Sequence, residues 1–368
     1  MASELLLSLR LGALLAEPVP REVVDALLSV QVTEGVGRPG GFQLSFATGK
    51  RSVLFQELLP RGALDPPART QIVLTVRGRT TVLMDGVVTR HEIAPSAEPG
   101  QARLTLTGED VSRMMDIVDF SGVKYPCLPP EGRVAAICSK YPAYGLVPAI
   151  VPSVFMVPPN PLKEVPSHQG TDLAYVKQLA AQAGYQFFVA PGPLLGVNIA
   201  HWEPPNKLGV PQEPLLVNCD AATNVESLSF SFDGFSATRY VVLVQNPDTK
   251  FPIPVPVPDI TPLSPPMGRR KPLPLKISPI HGLAKLSPAQ AAGVALARAA
   301  DSFEVISGQG SLDVLRYGQP LRSRRPVAVH GAGAAYDGTY YVKSVTHSIK
   351  RGAYTQQFAL TRNAFLPL

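Results

Sequence analysis

The side chains that most readily do chemistry are thinly spread here: six histidines, three cysteines and 28 acids in 368 residues. The histidines are His91, His168, His201, His281, His330 and His347. No two stand as H-x-H or H-x-x-x-H, the spacings that aim two imidazoles at one metal. Cys127, Cys138 and Cys219 form no C-x-x-C pair, and three thiols always leave one unpaired, which fits folding in a reducing compartment. They are expected as small buried apolar side chains. No G-x-S-x-G nucleophile elbow occurs. His330-Gly331-Ala332-Gly333 lacks the lysine and the following helix of a phosphate loop, so a turn between strands is expected.

His347, inside KSVTHSIK, is expected as a hydrogen-bonded side chain on a sheet rather than a base. Glu109-Asp110 and Asp172 stand where acids complement the positive start of a helix. The basic clusters Arg269-Arg270-Lys271 and Arg322 to Arg325 could meet phosphates, but few aromatics lie beside them in sequence. Trp202, the single tryptophan, is expected at a core edge or an interface. The sequence therefore predicts no catalytic residue, no metal ligand and no cofactor, which points to a structural role.

The elements that would position any site are mostly strands. A chain this long favours two or more domains. Its 45% hydrophobic and 17% charged residues exclude a disordered polyelectrolyte, and 39 prolines suggest a loop-rich, mostly β protein. A net charge of +6 and a pI near 9.2 decide nothing about partners. The opening MASELLLSLRLGALLAEP has no basic stretch, Glu4 precedes its apolar run and Arg10 interrupts it, so no signal peptide is expected. No run approaches the ~20 apolar residues of a membrane span.

Phe42, Leu44 and Phe46 alternate with polar residues, as do Ile72, Leu74 and Val76, then Ala102, Leu104 and Leu106; period two puts one face on a core. Val111, Met114, Met115 and Val118 predict a short helix, so residues 1–120 read as a small barrel or curled sheet closed by one helix. Pro126, Pro129 and Pro130 lead into another short helix through Val134 and Ile137. The proline-rich stretch from Pro148 to Pro166 excludes a continuous helix or a central strand. Next, Thr171 caps a helix with Leu173, Val176, Ala180 and Ala183 on one stripe. Gly184 ends it, and Tyr185 to Val189 is a strand.

A second strand-rich region starts near Leu215. Leu228, Phe230 and Phe232 form one face, and Tyr240 to Val244 is expected as their apolar partner strand. Ten prolines between Phe251 and Ile280 predict an extended linker. Ser287-Pro288 opens an alanine-rich helix to about Ala300. The chain closes with Val327 to Val329, then a hairpin of Tyr340 to Ile349 and Tyr354, Phe358 and Leu360 about a Lys350-Arg351-Gly352 turn.

Three of these segments resemble phage tail baseplate hub proteins, that is, phage late control protein D and the hub portion of type VI secretion spike proteins. They are Thr171 to Ala180 with Gly184 to Phe187, the closing stretch from Tyr336 through His347 to Arg362, and the opening from Pro18 to Val32 with Gly41 to Leu44. The resemblance implies a β-rich α+β fold: two tube-like β-barrel modules with flanking helices and a mixed α/β insert. The modules would be 1–120, and 215–245 with 301–368. The insert would be 121–214, and 246–300 a proline-rich linker plus a helix associated with the insert.

The resemblance implies a homotrimer that adapts a hexameric tail tube protein to a trimeric spike. Other baseplate proteins, and a tape measure protein or cargo in the lumen, would be its further partners. The chain ends soon after the hairpin, so the spike is expected as a separate protein. Assembly in the bacterial cytoplasm and release within a virion tail or an injection particle would follow. The competing expectations are a tail-associated cell-wall hydrolase, with Asp172 or Glu109 as its carboxylate, and a DNA-contacting tail protein using Arg322, Arg324 and Arg325.

Overall fold

The computed structural model of the chain describes residues 5–49, 52–96, 102–153, 165–245, 252–258, 265–281, 288–301 and 304–367. The first third is β1 (Leu5–Gly12), β2 (Glu17–Pro18), α1 (Arg21–Asp25), β3 (Leu27–Gly35), β4 (Gly41–Thr48), β5 (Arg69–Val76), β6 (Arg79–Ala94) and β7 (Ala102–Asp110). Their order in the sheet is β3-β4-β7-β6-β5-β1, antiparallel throughout. Phe42, Leu44, Phe46, Ile72, Leu74, Val76, Leu104 and Leu106 are all buried, as the period of two requires. β6 serves two neighbours in turn. Its first half pairs with β5, its second half with β7, and a register shift between Val88 and Arg90 marks the change.

The helix expected from Val111 is a single 3-10 stretch, Val111–Asp116, with the Asp110 side chain accepting the Ser112 N–H at its start. Glu109 remains in β7. The helix ends at Asp116, before Val118, which is 51% exposed, while Val111 and Met115 are buried.

The insert contains α2 (Pro130–Cys138), β8 (Leu146–Ile150), α3 (Asp172–Ala183), β9 (Gln186–Pro191) and β10 (Asn198–Glu203), with strand order β8-β10-β9. Pro148 is tolerated because β8 is an edge strand. Thr171 caps α3 by accepting the Ala174 N–H, and Gly184 ends it at φ 70°, in the left-handed region. Leu173, Val176, Ala180 and Ala183 pack on Val189 and Trp202 of the sheet. Trp202 is fully buried at the centre of this core, not at an edge, because β10 is the middle strand. Cys138 is buried there too, whereas Cys127 is exposed and Cys219 half-buried, so only one cysteine of three is a core residue.

The second strand-rich region opens with β11 (Gln212–Leu216) and β12 (Ser227–Phe232). The expected partner of β12 is not its partner. β13 (Thr238–Gln245) leaves to form a separate sheet with β14 (Pro252–Pro256) and β15 (Lys276–Ile280). The proline-rich segment is thus partly strand. Prolines at 252, 254 and 256 fall at alternate residues, so one edge of β14 loses every donor while the other keeps the amides of 253 and 255 to pair with β13. α4 (Pro288–Asp301) covers this small sheet, with Ala295 and Ala299 against Val257 and Ile280, and also lies against α3. Residues 97–101, 154–164, 246–251, 259–264 and 282–287, with Pro99-Gly100, most of the Pro148 to Pro166 stretch, Phe251 and Ser287, lie outside the described residues.

β16 (Ile306–Asp313), α5 (Val314–Tyr317), β17 (Pro326–His330), β18 (Gly338–Lys350) and β19 (Ala353–Arg362) complete the chain. β12 pairs with β16, β16 with β19 and β19 with β18; β17 joins β18 and receives β11 in parallel. Gly352 makes the tight turn of the β18–β19 hairpin at φ 76°. His330-Gly331-Ala332-Gly333 runs from the end of β17 into the loop before β18. β18 also pairs with β3 over Ser344–Lys350 and Ser29–Gly35, so the first and last strand sets form one 13-stranded sheet over one hydrophobic core.

Replacing Thr171 by Ala removes the cap of α3 and is expected to cost about 1 kcal/mol of stability. Urea denaturation checks this; an unchanged midpoint would mean the cap is redundant.

Candidate functional site

Two buried polar clusters hold the sheet and the insert together. The first lies on the β3–β18 seam. His347 is fully buried on β18, its Nδ1 2.7 Å from the Tyr354 hydroxyl and 3.0 Å from the Gln356 amide nitrogen. That amide can only donate, so Nδ1 is an acceptor and the proton sits on Nε2, 3.6 Å from the Glu34 carboxylate. Burial holds the His347 pKa below its ordinary value against the pull of Glu34. Burial would raise the Glu34 carboxyl; the His347 N–H, the Arg322 guanidinium and the Ser323 amide outweigh it and hold the pKa at about 2. His347 is therefore the hydrogen-bonded sheet residue that the sequence suggested, with a carboxylate partner from the other end of the chain.

Some of the arginines expected to face phosphates are spent inside the fold. Arg324 donates to the Gly35 carbonyl and stacks 4.2 Å over the Phe188 ring. Arg322 donates to the Val82 carbonyl at 3.2 Å. Arg270 lies 5.1 Å over Phe365. Aromatics do accompany these clusters, but in space rather than in sequence.

The second cluster docks the insert. Arg69 of β5 and Asp85 of β6 form a two-pronged ion pair at 2.9 and 2.8 Å, both side chains under 5% exposed. Gln71 and Asn198 donate to the same Asp85 oxygen at 2.9 and 3.1 Å. The remaining Arg69 donors reach the carbonyls of Leu14, Ala143, Tyr144 and Gly196, the last three within the insert. Neither residue was singled out in the sequence. The available signal was an acid inside the apolar run VLMDGVV, which a strand buries only with a partner.

Asp172 does more than start α3. It accepts from Lys140 at 2.8 and 3.0 Å and from the Tyr141 hydroxyl at 2.8 Å, with His168 at 3.5 Å. His168 in turn meets the Tyr125 hydroxyl at 3.0 Å. This is a histidine beside a carboxylate, but both side chains are fully buried. They also line neither of two open clefts. One, of about 640 Å³, runs past Arg79, Gln212, Glu213, Arg322 and Arg325. The other, of about 790 Å³, lies between α3, α4 and β18. Among the described residues, no three His, Cys, Asp or Glu side chains converge to hold a metal. No described helix is long and apolar enough to cross a membrane.

No family model matches the sequence, and no curated protein matches it. Solved structures do. A tail protein from Neisseria meningitidis MC58 superposes with a TM-score of 0.66 over 98% of this chain and 97% of its own, at 13% identity. The 43 kDa tail protein of prophage MuSo2 from Shewanella oneidensis gives 0.62 over 98% and 99%, at 14% identity. The fold is that of phage tail proteins. An Escherichia coli component of the type VI secretion system, itself similar to T4 bacteriophage tail proteins, shares this tail-protein fold with a TM-score of 0.55 over 93% of this chain and 76% of its own, at 14% identity. The β-rich α+β class expected from the sequence is thereby confirmed.

Asp85→Ala leaves the Arg69 guanidinium buried and unpaired, and is expected to destabilise the protein by roughly 3–5 kcal/mol. Calorimetry checks this, and a loss below about 1 kcal/mol would contradict the docking role.

Acid acts on the seam with a definite sign. His347 and Glu34 both have folded pKa values below their ordinary 6.5 and 4.5, so the unfolded chain binds protons first. Their contribution is complete above pH 6.5 and declines as pH falls, His347 first and Glu34 below pH 4.5. His347→Gln should therefore lower stability at pH 7.5 yet shrink its fall between pH 7.5 and 5.5. Denaturation midpoints at the two pH values decide it; an equal fall in both proteins would refute the assignment.

Proposed function

We propose that the chain is the structural hub of a phage tail or phage-tail-like injection particle, three copies forming a ring that adapts a hexameric tail tube to a trimeric spike. The observation that supports this most is likeness in fold over nearly the whole of two tail proteins, including the insert. A second is the edge-to-edge joining of two strand sets by β3 and β18, which gives each chain two module-like units and a trimer six. In this reading the modules are residues 1–120 and the sheet built from β11, β12 and β16 to β19, and the insert with α4 lies beside them. The tube protein, a separate spike, neighbouring baseplate proteins and a tape measure protein or cargo in the lumen are its partners. Assembly takes place in the bacterial cytoplasm, and the finished protein is part of the tail or particle. It catalyses nothing.

Three of the residues that a hydrolase or a DNA contact would need are engaged otherwise. Asp172 is held by Lys140 and Tyr141, and Arg322 and Arg324 bond backbone carbonyls of the first strand set. Co-expression with the tube and spike subunits of the same particle tests the proposal. A stable complex with both is expected. A chain that binds neither, or that clears a cell-wall gel, would overturn it.

A further inference from the structure

Two arginines stand exposed and without partners at one cleft. The cleft, of about 640 Å³, is walled by three parts of the chain: the start of β6, the stretch between α5 and β17 together with β11, and the residues that follow the insert. Arg79 opens β6 and Arg325 precedes β17. Both are exposed, and neither side chain meets an acceptor or an acid among the described residues. A third arginine of the lining, Arg322, is half-buried and spends one N–H on the Val82 carbonyl at 3.2 Å. Against these three stands one carboxylate, that of Glu213. Charges of mainly one sign on a concave surface focus the field there, so the cleft draws an anion.

The walls are fixed before any ligand arrives. Gln212 of β11 holds the Arg322 backbone in both directions, accepting its N–H at 2.8 Å and donating to its carbonyl at 2.9 Å. Arg77, in the turn before Arg79, donates to the Leu315 carbonyl of α5. The turn that carries Arg79 is thereby tied to the helix that leads into the loop carrying Arg325. Walls held in this way lose little conformational entropy on binding.

The lining also selects the kind of anion. It contains no aromatic side chain, so unpaired bases would find no stacking platform. The Glu213 carboxylate opposes an unbroken run of phosphates. Apolar surface lies beside the charges, with Val210 91% exposed and Pro211 next to it. Carboxylates set among apolar side chains match that mixture, and a guanidinium takes a carboxylate through two parallel N–H bonds.

We propose that this cleft binds an acidic peptide segment of a partner protein, Arg79 and Arg325 each holding a carboxylate and Val210 covering an apolar neighbour. The site lies within one chain, so it is independent of the ring reading above.

Fluorescence anisotropy of the full chain with a labelled peptide of alternating glutamate and leucine reads the site. Saturable binding that weakens with salt is expected. Arg79→Glu with Arg325→Glu should weaken it at least about tenfold. Neither side chain has a partner to lose, so circular dichroism should stay unchanged. Arg79→Gln with Arg325→Gln decides by the same measure if the reversed pair fails to fold. Arg21→Glu with Arg103→Glu makes the same change in net charge at two exposed arginines outside the cleft, and should alter binding less than about twofold. The absence of saturable binding, an equal loss in the variants within and outside the cleft, or displacement of the peptide by a lower concentration of a single-stranded oligonucleotide would each overturn the proposal.

Discussion

Everything in this molecule depends on the antiparallel pairing of β3 with β18. It joins residues from the two ends of the chain, and the core above it is continuous only because those strands lie side by side. A long-range ladder of this kind closes most of the chain into one loop, so its cost in conformational entropy is spread over a single event. The side chains along it repeat the same connection in polar form. Glu34 of β3 meets His347 of β18, Arg324 reaches back to Gly35, and Arg351 in the hairpin turn donates to the Asp25 carbonyl. Registers that slipped by one residue would turn Val30 and Val32 outward and separate Glu34 from His347.

The Arg69–Asp85 pair plays the corresponding part for the insert. A buried ion pair is not in itself a large source of stability, because two ions must first leave water. Its value here lies in geometry. Six protein groups besides Asp85 and Arg69 themselves, from the amide of Asn198 to the carbonyl of Leu14, converge on those two side chains, and most of them belong to the insert. A displaced insert would leave the hydrogen bonds from Ala143, Tyr144, Gly196 and Asn198 unmade, which favours one position relative to β5 and β6.

What could be read from the sequence was local. β4, β5, β7 and β19 show their alternation over a few residues, and α3 carries its own cap, stripe and terminating glycine. Partner choice was not local. Nothing in Leu228 to Phe232 says that β16, rather than the nearby β13, is its neighbour, and nothing in Val30 or Val32 points to β18. The prolines of β14 were readable but misread: their number suggested a linker, whereas their alternate spacing is what an edge strand with one blocked side requires. The buried charges were hidden for a related reason. Glu34 and Arg69 look like ordinary surface residues until the fold brings their partners together.

The central claim, that this chain is a ring-forming tail hub, is tested most directly by negative-stain class averages of the purified protein, with its solution mass measured on the same sample. The account predicts threefold, open-centred particles with the mass of three chains. Compact particles with the mass of one chain, persisting with tube and spike subunits present, would contradict it.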